Sequence, residues 1–130
     1  MQKDFERWGN EKARLHETGR GSFLRAGEIR WAAIGVNVGS EIDGKGEGRY
    51  TRPVLVLDVF GKHLALVVPV SIKLHDHPGY LHITIGERTM ALCVHQIRVL
   101  SQKRIFNRKS KLSNTRLQQV RNSVRIFWHL

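Results

Sequence analysis

Apolar and polar positions change their period several times along the chain, and the changes divide it into elements. Over residues 4–17, Phe5, Trp8 and Leu15 fall near one helical face while Glu11, Lys12 and Arg14 lie elsewhere, predicting a short amphipathic helix. Thr18 to Gly21 breaks it with two glycines, so this front piece reads as an appendage. From Glu28 the pattern becomes that of strands. Glu28–Ile34 is short and partly alternating, with Ile29 and Trp31 on one face. A polar stretch from Gly35 to Thr51 follows, holding Gly35, Gly39, Gly44, Gly46 and Gly48, as expected of a loop near a ligand or a wide hairpin. Pro53–Phe60 and His63–Val70 are aliphatic and β-branched and predict a central hairpin, with Gly61-Lys62 as a two-residue type II′ turn. After a turn at His75–Gly79, Tyr80–Ile85 alternates, Gly86-Glu87 turns, and Thr89–Leu100 reads as one last strand stretch. Asn114–Trp128 predicts a closing helix capped by Ser113, with Leu117, Val120, Val124 and Phe127 as its apolar stripe and Arg116, Arg121 and Arg125 turned to water or a ligand.

The order is therefore a helix, about five or six short strands with hairpin connections, and a helix. That predicts a mainly β fold with flanking helices: a small antiparallel barrel or a strongly curved sheet. We divide the chain at residue 25, with an N-terminal helical extension over 1–25 and the barrel domain over 26–130. At 130 residues and 14.9 kDa the chain suits one core and needs no disulfide staples. Its single cysteine, Cys93, and the absence of an apolar leader at Met1–Trp8 point to a reducing, cytoplasmic setting. The longest apolar run, Leu64–Val70, is far below the roughly 20 residues of a membrane span, so no membrane partner is expected.

Charge changes the picture. The chain carries 22 Lys plus Arg against 11 Asp plus Glu, a formal +11. The surplus is uneven: the 43 residues after Glu87 hold ten basic side chains and no carboxylate. A basic part on a near-neutral body points to a polyanion or an acidic protein as partner.

Several chemistries are excluded by pattern. Gly44-Lys45-Gly46-Glu47-Gly48 lacks the Gly-Lys-Ser/Thr ending of a phosphate loop and does not join a strand to a helix. No Gly-x-Ser-x-Gly elbow occurs. His75, His77 and His82 flank a turn without a nearby cysteine and read as solvated loop histidines rather than metal ligands. What remains is a polar set on three segments: Asn37, Ser40, Glu41 and Asp43 in the glycine loop; Arg52, Ser71 and Lys73 at one open end of the central hairpin; and His95, Gln96 and Arg98 within the last strand stretch. By spacing alone, Arg52 and Ser71 are equally well an arginine in a surface pair and a strand-end serine.

Five pieces of sequence, in order, carry a resemblance: Gly27-Glu28-Ile29-x-Trp31, Gly35-x-Asn37-x-Gly39-Ser40-Glu41, Arg52-Pro53-Val54-Leu55-Val56, Val68-Pro69-Val70-Ser71 and Gln96-Ile97-Arg98. Over residues 27–105 the chain resembles the MazF/PemK family of toxin endoribonucleases, and the first helix looks like an extension found in some members. The resemblance implies an SH3-like barrel that forms a homodimer and is held in check by a cognate acidic antitoxin. It implies cleavage of single-stranded RNA with no metal and no cofactor. Carried over by position, Arg52 looks like the family's catalytic arginine and Ser71 like the residue that contacts the scissile phosphate. Gln96 and Arg98 match the element that shapes the site or binds RNA, and Asn37, Ser40 and Lys73 complete the expected RNA-binding set. The chain departs from many members in having Ser40 where histidine is common, His95 where aspartate is common, and a longer stretch from Ile42 to Thr51.

Metal-free cleavage uses the RNA's own 2′-hydroxyl as nucleophile and needs a base, an acid and positive charge for the phosphorane. A guanidinium titrating above about 12 is a poor base, so Arg52 is expected to supply charge and a proton. His95 and Glu41 are the candidate bases. In a strand, His95 and Arg98 would face opposite sides while Gln96 and Arg98 share one. Tyr50, Phe60 and Tyr80 are candidate stacking faces, with core packing the stronger expectation for Phe60. Two other readings stay open: a gyrase poison similar to CcdB, acting through Phe127-Trp128-His129-Leu130, and a barrel that binds RNA or a partner without cutting.

Overall fold

The computed structural model describes residues 4–18, 23–35, 37, 42, 44 and 50–130. Helix α1 spans Phe5–Thr18 and α2 spans Asn114–Trp128. Between them lie seven strands: β1 (Glu28–Ala33), β2 (Thr51–Phe60), β3 (Leu64–Ser71), β4 (Tyr80–Ile85), β5 (Arg88–Cys93), β6 (Arg98–Ser101) and β7 (Ile105–Lys111). Their antiparallel order is β4-β5-β3-β2-β1-β7, and β6 also pairs with β3. The expected mainly β architecture with flanking helices is what forms.

The sheet bends because β3 changes neighbours along its length. Its first half pairs with β6, as in Val67 with Arg98, and its last residues pair with β5, as in Val70 with Leu92. Between those two pairs β3 advances three residues while its partner advances six. The surplus, Val94–Gln96, is extruded as one turn of 3-10 helix. The single strand expected over Thr89–Leu100 is thus two strands with this turn between them. Pro69, which has no N–H to donate, sits in β3 opposite the interruption, where a proline is tolerated. The fold separates two apolar clusters across the bent sheet. Leu55, Val68, Val70 and Leu92 meet Leu117, Val120 and Val124 of α2 on one side. Val54, Val56, Val67, Leu100 and Ile105 fill the other.

The helices follow their patterns. Ser113 caps α2 by accepting from the Arg116 N–H at 3.2 Å, and Leu117, Val120 and Val124 of its stripe are buried, with Phe127 half-buried. Two of the arginines expected to face outward are instead tied to the sheet: Arg116 donates to the Thr84 carbonyl and Arg121 to that of Leu57 at 2.6 Å. Long side chains reach over the rim of a helix to sheet carbonyls that have no ladder partner there. Trp8 and Leu15 of α1 are buried against Ala33, Tyr50 and Phe106, while Phe5 stays exposed.

Two further expectations are corrected, and one strand is added. The central hairpin loop has three residues, Gly61 to His63, because the ladder closes at Phe60 and Leu64. The His63 carbonyl accepts from the Gln102 N–H at 2.8 Å instead of joining the ladder. Phe60 at this hairpin is 78% exposed and belongs to no core. Strand β7 carries no alternation of apolar residues; it forms because β1 offers it a ladder from Lys111 to Ile105. A buried ion pair reinforces that edge. Arg30 donates to Glu28 at 3.0 Å and to the carbonyls of Phe23 and Phe106, both at 2.9 Å. Among the described residues, no helix is long and apolar enough to cross a membrane.

Leu117 is buried in the first cluster and Ile126 on the same helix is 72% exposed. Leu117→Ala should therefore cost about 2–5 kcal/mol and Ile126→Ala no more than about 0.5 kcal/mol, read from urea unfolding midpoints at unchanged slope. Equal losses at the two positions would refute the packing described for α2.

Candidate active site

The extruded turn carries the richest chemistry. It places His95 and Gln96 at one wall of an open cleft of about 870 Å³, with Arg98 beside them and Ile42, His77 and Tyr80 on the remaining walls. Strand alternation does not apply to a 3-10 turn, so His95, Gln96 and Arg98 line one cleft together, contrary to the opposed faces expected for His95 and Arg98.

Hydrogen bonds fix the chemical state of this wall. The Ile42 N–H donates to Gln96 Oε1 at 2.6 Å. That settles which end of the amide is oxygen and leaves the NH₂ group 3.4 Å from His95 Nε2. The other ring nitrogen, Nδ1, lies 2.8 Å from the Gly79 carbonyl, which can only accept. Both contacts are satisfied by one tautomer: Nδ1 protonated, Nε2 holding a lone pair toward the cleft wall. Gly79 makes this approach possible, since a Cβ there would meet His95 Nδ1 at 2.4 Å. The Trp128 indole N–H donates to the Val94 carbonyl at 2.8 Å, so the end of α2 is fastened to the same turn.

Tyr80 joins this turn to the hairpin rim. Its ring lies 4.9 Å from that of His95 and stacks on His75 at 4.1 Å. Burial pushes the Tyr80 hydroxyl up, and the positive charge of Arg52 opposes that shift. The same pair of causes acts on Cys93, the ladder partner of Tyr80. Arg52 thus stands within electrostatic reach of the Tyr80 side of the cleft, and its Nη1 donates to the Val70 carbonyl at 3.4 Å.

The other expected site residues are placed as follows. Ser71, on the same sheet end as Arg52, is buried, and its hydroxyl donates to the Lys73 carbonyl at 3.1 Å and accepts from the Lys73 N–H at 3.2 Å. To meet a phosphate it would have to leave that turn. Lys73 is exposed. Asn37 braces the loop, donating to the carbonyls of Ile34 at 3.2 Å and Ile42 at 2.9 Å. Ser40 and Glu41 lie outside the described residues. Of the candidate stacking faces, Tyr80 lines the cleft and Tyr50 packs against Trp8. Ile42, His77 and Gly79 were not among the expected site residues. A turn histidine and a turn glycine carry no periodic signal, and only the contact with His95 reveals them. Among the described residues no group of three His, Cys, Asp or Glu side chains is arranged to hold a metal ion.

The family model for the PemK-like, MazF-like toxin of type II toxin–antitoxin systems matches residues 25–128. The chain belongs to the PemK/MazF toxin family. Its fold is that of solved MazF structures. Crystal structures of MazF from Deinococcus radiodurans superpose with TM-scores of 0.64 (Form-I, 19% identity) and 0.58 (MazE–MazF Form-III, 18% identity), each covering 84% of this chain and 99% of the other. An endoribonuclease in complex with its cognate antitoxin, from a mycobacterial species, superposes at 0.59 with 10% identity, over 83% of this chain and 97% of the other. No curated protein sequence matches the chain. The family match begins after α1, which lies outside it.

Cys93 tests the burial of this wall. Burial raises its thiol from 9.0 to about 11. The folded protein should therefore resist a thiol reagent at pH 8 and react once urea exposes the side chain. Because the unfolded chain releases this proton first, the contribution to stability is intact below pH 9 and should decline between pH 9 and 11, measurable as a falling urea midpoint.

Proposed function

We propose that this PemK/MazF-family protein is the toxin of a type II system and acts as a metal-independent endoribonuclease on single-stranded RNA. The observation that carries the reading is the His95 imidazole, held as one tautomer between the Gly79 carbonyl and the Gln96 amide at the wall of an open cleft that Arg98 also lines. In this reading the ribose 2′-hydroxyl displaces the long 3.4 Å contact from the Gln96 amide and gives its proton to the His95 Nε2 lone pair. The oxygen attacks the adjacent phosphorus, the P–O5′ bond breaks, a 2′,3′-cyclic phosphate forms, and the departing 5′-oxygen takes a proton from solvent. Arg98, which lines the cleft, and Arg52, whose charge reaches Tyr80, supply the positive charge that the phosphorane requires. Ser71 holds the turn that presents Lys73 to the phosphate backbone. Gln96 keeps the imidazole lone pair directed, and Tyr80 offers a face to an unstacked base. Glu41 remains a second candidate base, with Asn37 and Ser40 on the same loop contributing to RNA placement. We further propose a homodimer in the cytoplasm, restrained by an acidic antitoxin, in keeping with the antitoxin complexes among the structures of like fold.

The test is incubation with mixed single-stranded RNA in excess EDTA. Cyclic phosphate and 5′-hydroxyl ends are expected. Uncut RNA across diverse sequences would overturn the reading, and toxicity lost on removing Trp128 to Leu130 without any RNA cleavage would favour gyrase. His95→Ala should lower the cleavage rate about 10²–10⁴-fold. Arg52→Ala should lower it about 10²–10³-fold. Wild-type rates in both variants would show the cut is made elsewhere.

A further inference from the structure

Helix α1 lies outside the family match, yet it packs against the roots of the β1–β2 connection. The Trp8 indole covers Gly35 so closely that a Cβ at residue 35 would stand 1.9 Å from the ring. Gly35 also has φ +84°, a conformation that favours glycine. The same indole meets Tyr50 edge-on at 5.6 Å between centroids. Asp4, at the start of α1, accepts from the Tyr50 hydroxyl at 3.1 Å. Tyr50 itself is held at φ +54°, a left-handed conformation uncommon for a bulky side chain. The Arg104 guanidinium lies 5.5 Å from the Trp8 ring centre, and Lys103 donates to the His16 carbonyl at 2.9 Å.

What α1 holds is a knot of backbone. The Gly35 N–H donates to the Tyr50 carbonyl at 3.0 Å, and the Gly44 N–H donates to the Gly35 carbonyl at 2.8 Å. Gly44 passes so near Tyr50 that a Cβ would meet the Tyr50 carbonyl oxygen at 1.6 Å. Asn37 ties the carbonyls of Ile34 and Ile42 together from inside. The far end of the knot is the Ile42 N–H, which orients the Gln96 amide, and that amide faces His95 Nε2. Each link in this series is a packing contact or hydrogen bond between adjacent groups.

We infer that α1 is a positioning element for His95, with Trp8 and Tyr50 as positioning residues that act through Gly35, Ile42 and Gln96. Removing the indole opens space beside Gly35 and frees the Tyr50 ring. The Ile42 N–H then loses its fixed direction, and with it the Gln96 amide loses the bond that decides which end faces the imidazole. Neither positioning residue lines the cleft. The consequence for cleavage rests on the reading of His95 as the base; the structural coupling does not.

The experiment therefore has two readouts. Nitrogen-15 correlation spectra report the His95 tautomer, the Gln96 side-chain amide and the Ile42 amide without any RNA. EDTA-resistant cleavage of single-stranded RNA reports the rate. In the wild type His95 should show the Nδ1–H form alone. Trp8→Ala should shift the Ile42 and Gln96 signals, move His95 toward averaging between tautomers, and slow cleavage about 10- to 100-fold, the scale of a small misplacement of a reacting group. Trp8→Phe, which keeps an aromatic face over Gly35, should restore most of both. Phe5→Ala, on the exposed face of the same helix, should change neither. A folded Trp8→Ala protein with unmoved Ile42, Gln96 and His95 signals would overturn the inference. If Trp8→Ala does not fold, Tyr50→Phe decides: it deletes only the bond to Asp4, and the same three signals must move. Absence of cleavage in the wild type would sink the ribonuclease reading and leave the spectra to judge the coupling alone.

Discussion

A mismatch of three residues between two ladders on one strand is the constraint on which this molecule turns. β3 cannot stay paired with a single partner because its neighbour carries more chain than the ladder can use. The excess emerges as Val94–Gln96, and once it does, backbone groups that would have been bonded across the sheet need other partners. They find them at specific places: the His95 N–H at the Gly79 carbonyl, and the Val94 carbonyl at the Trp128 indole. The bend of the sheet, the docking of the last turn of α2 and the exposure of an imidazole to a cleft are three consequences of one register shift. Extra residues in a strand are a recurrent way to re-aim a side chain, and here a helical turn brings His95 and Gln96 to the cleft.

The state of His95 depends on polar groups that are individually ordinary. A carbonyl accepts at one nitrogen, an amide donates at the other, and a backbone N–H prevents the amide from rotating end for end. None of these contributes more than the roughly 0.5–1.5 kcal/mol of a typical hydrogen bond. Together they select between two tautomers whose chemistry at Nε2 is opposite, a lone pair or a proton. Selection of a state, rather than stability, is what the arrangement achieves.

The parts legible in the sequence were those in which burial imposes a period. α1, α2, the β2–β3 hairpin and β4 follow from apolar spacing, and Ser113 marks the start of α2 as a cap should. β7 was not legible, since Phe106-Asn107-Arg108-Lys109-Ser110-Lys111 contains no apolar alternation and becomes a strand only when β1 presents an edge. The turn at Val94–Gln96 was hidden for a related reason: Ala91, Leu92, Cys93 and Val94 are all buried, and a continuous apolar run does not say where its backbone leaves the ladder. That obscured the grouping of His95 with Arg98, and with it most of the geometry of the cleft. The resemblance to toxin ribonucleases supplied residue types at the site but not their bonding. The engagement of Ser71 with Lys73 and of Asn37 with Ile34 and Ile42 is set by local backbone geometry that spacing cannot reveal.

The excess of positive charge also reads differently once placed. Ten basic side chains without a carboxylate after Glu87 suggest a polyanion or an acidic protein as partner. Arg116 and Arg121 instead bond carbonyls of β4 and β2 and hold α2 down, and Arg104 lies against Trp8 with burial and the charge of Arg98 both lowering its pKa. Part of the basic composition therefore serves the fold. Arg98 differs in lining the cleft, and Arg52 in acting on Tyr80 across its rim. A cation already bonded to a neutral carbonyl keeps its full charge, so the arginines on α2 still contribute to the long-range field that draws a polyanion toward the surface. Short-range recognition is another matter, because it needs donors that can turn to a phosphate. Net charge sets the long-range field around the protein, whereas short-range contacts in the cleft depend on the cation that lines it, Arg98.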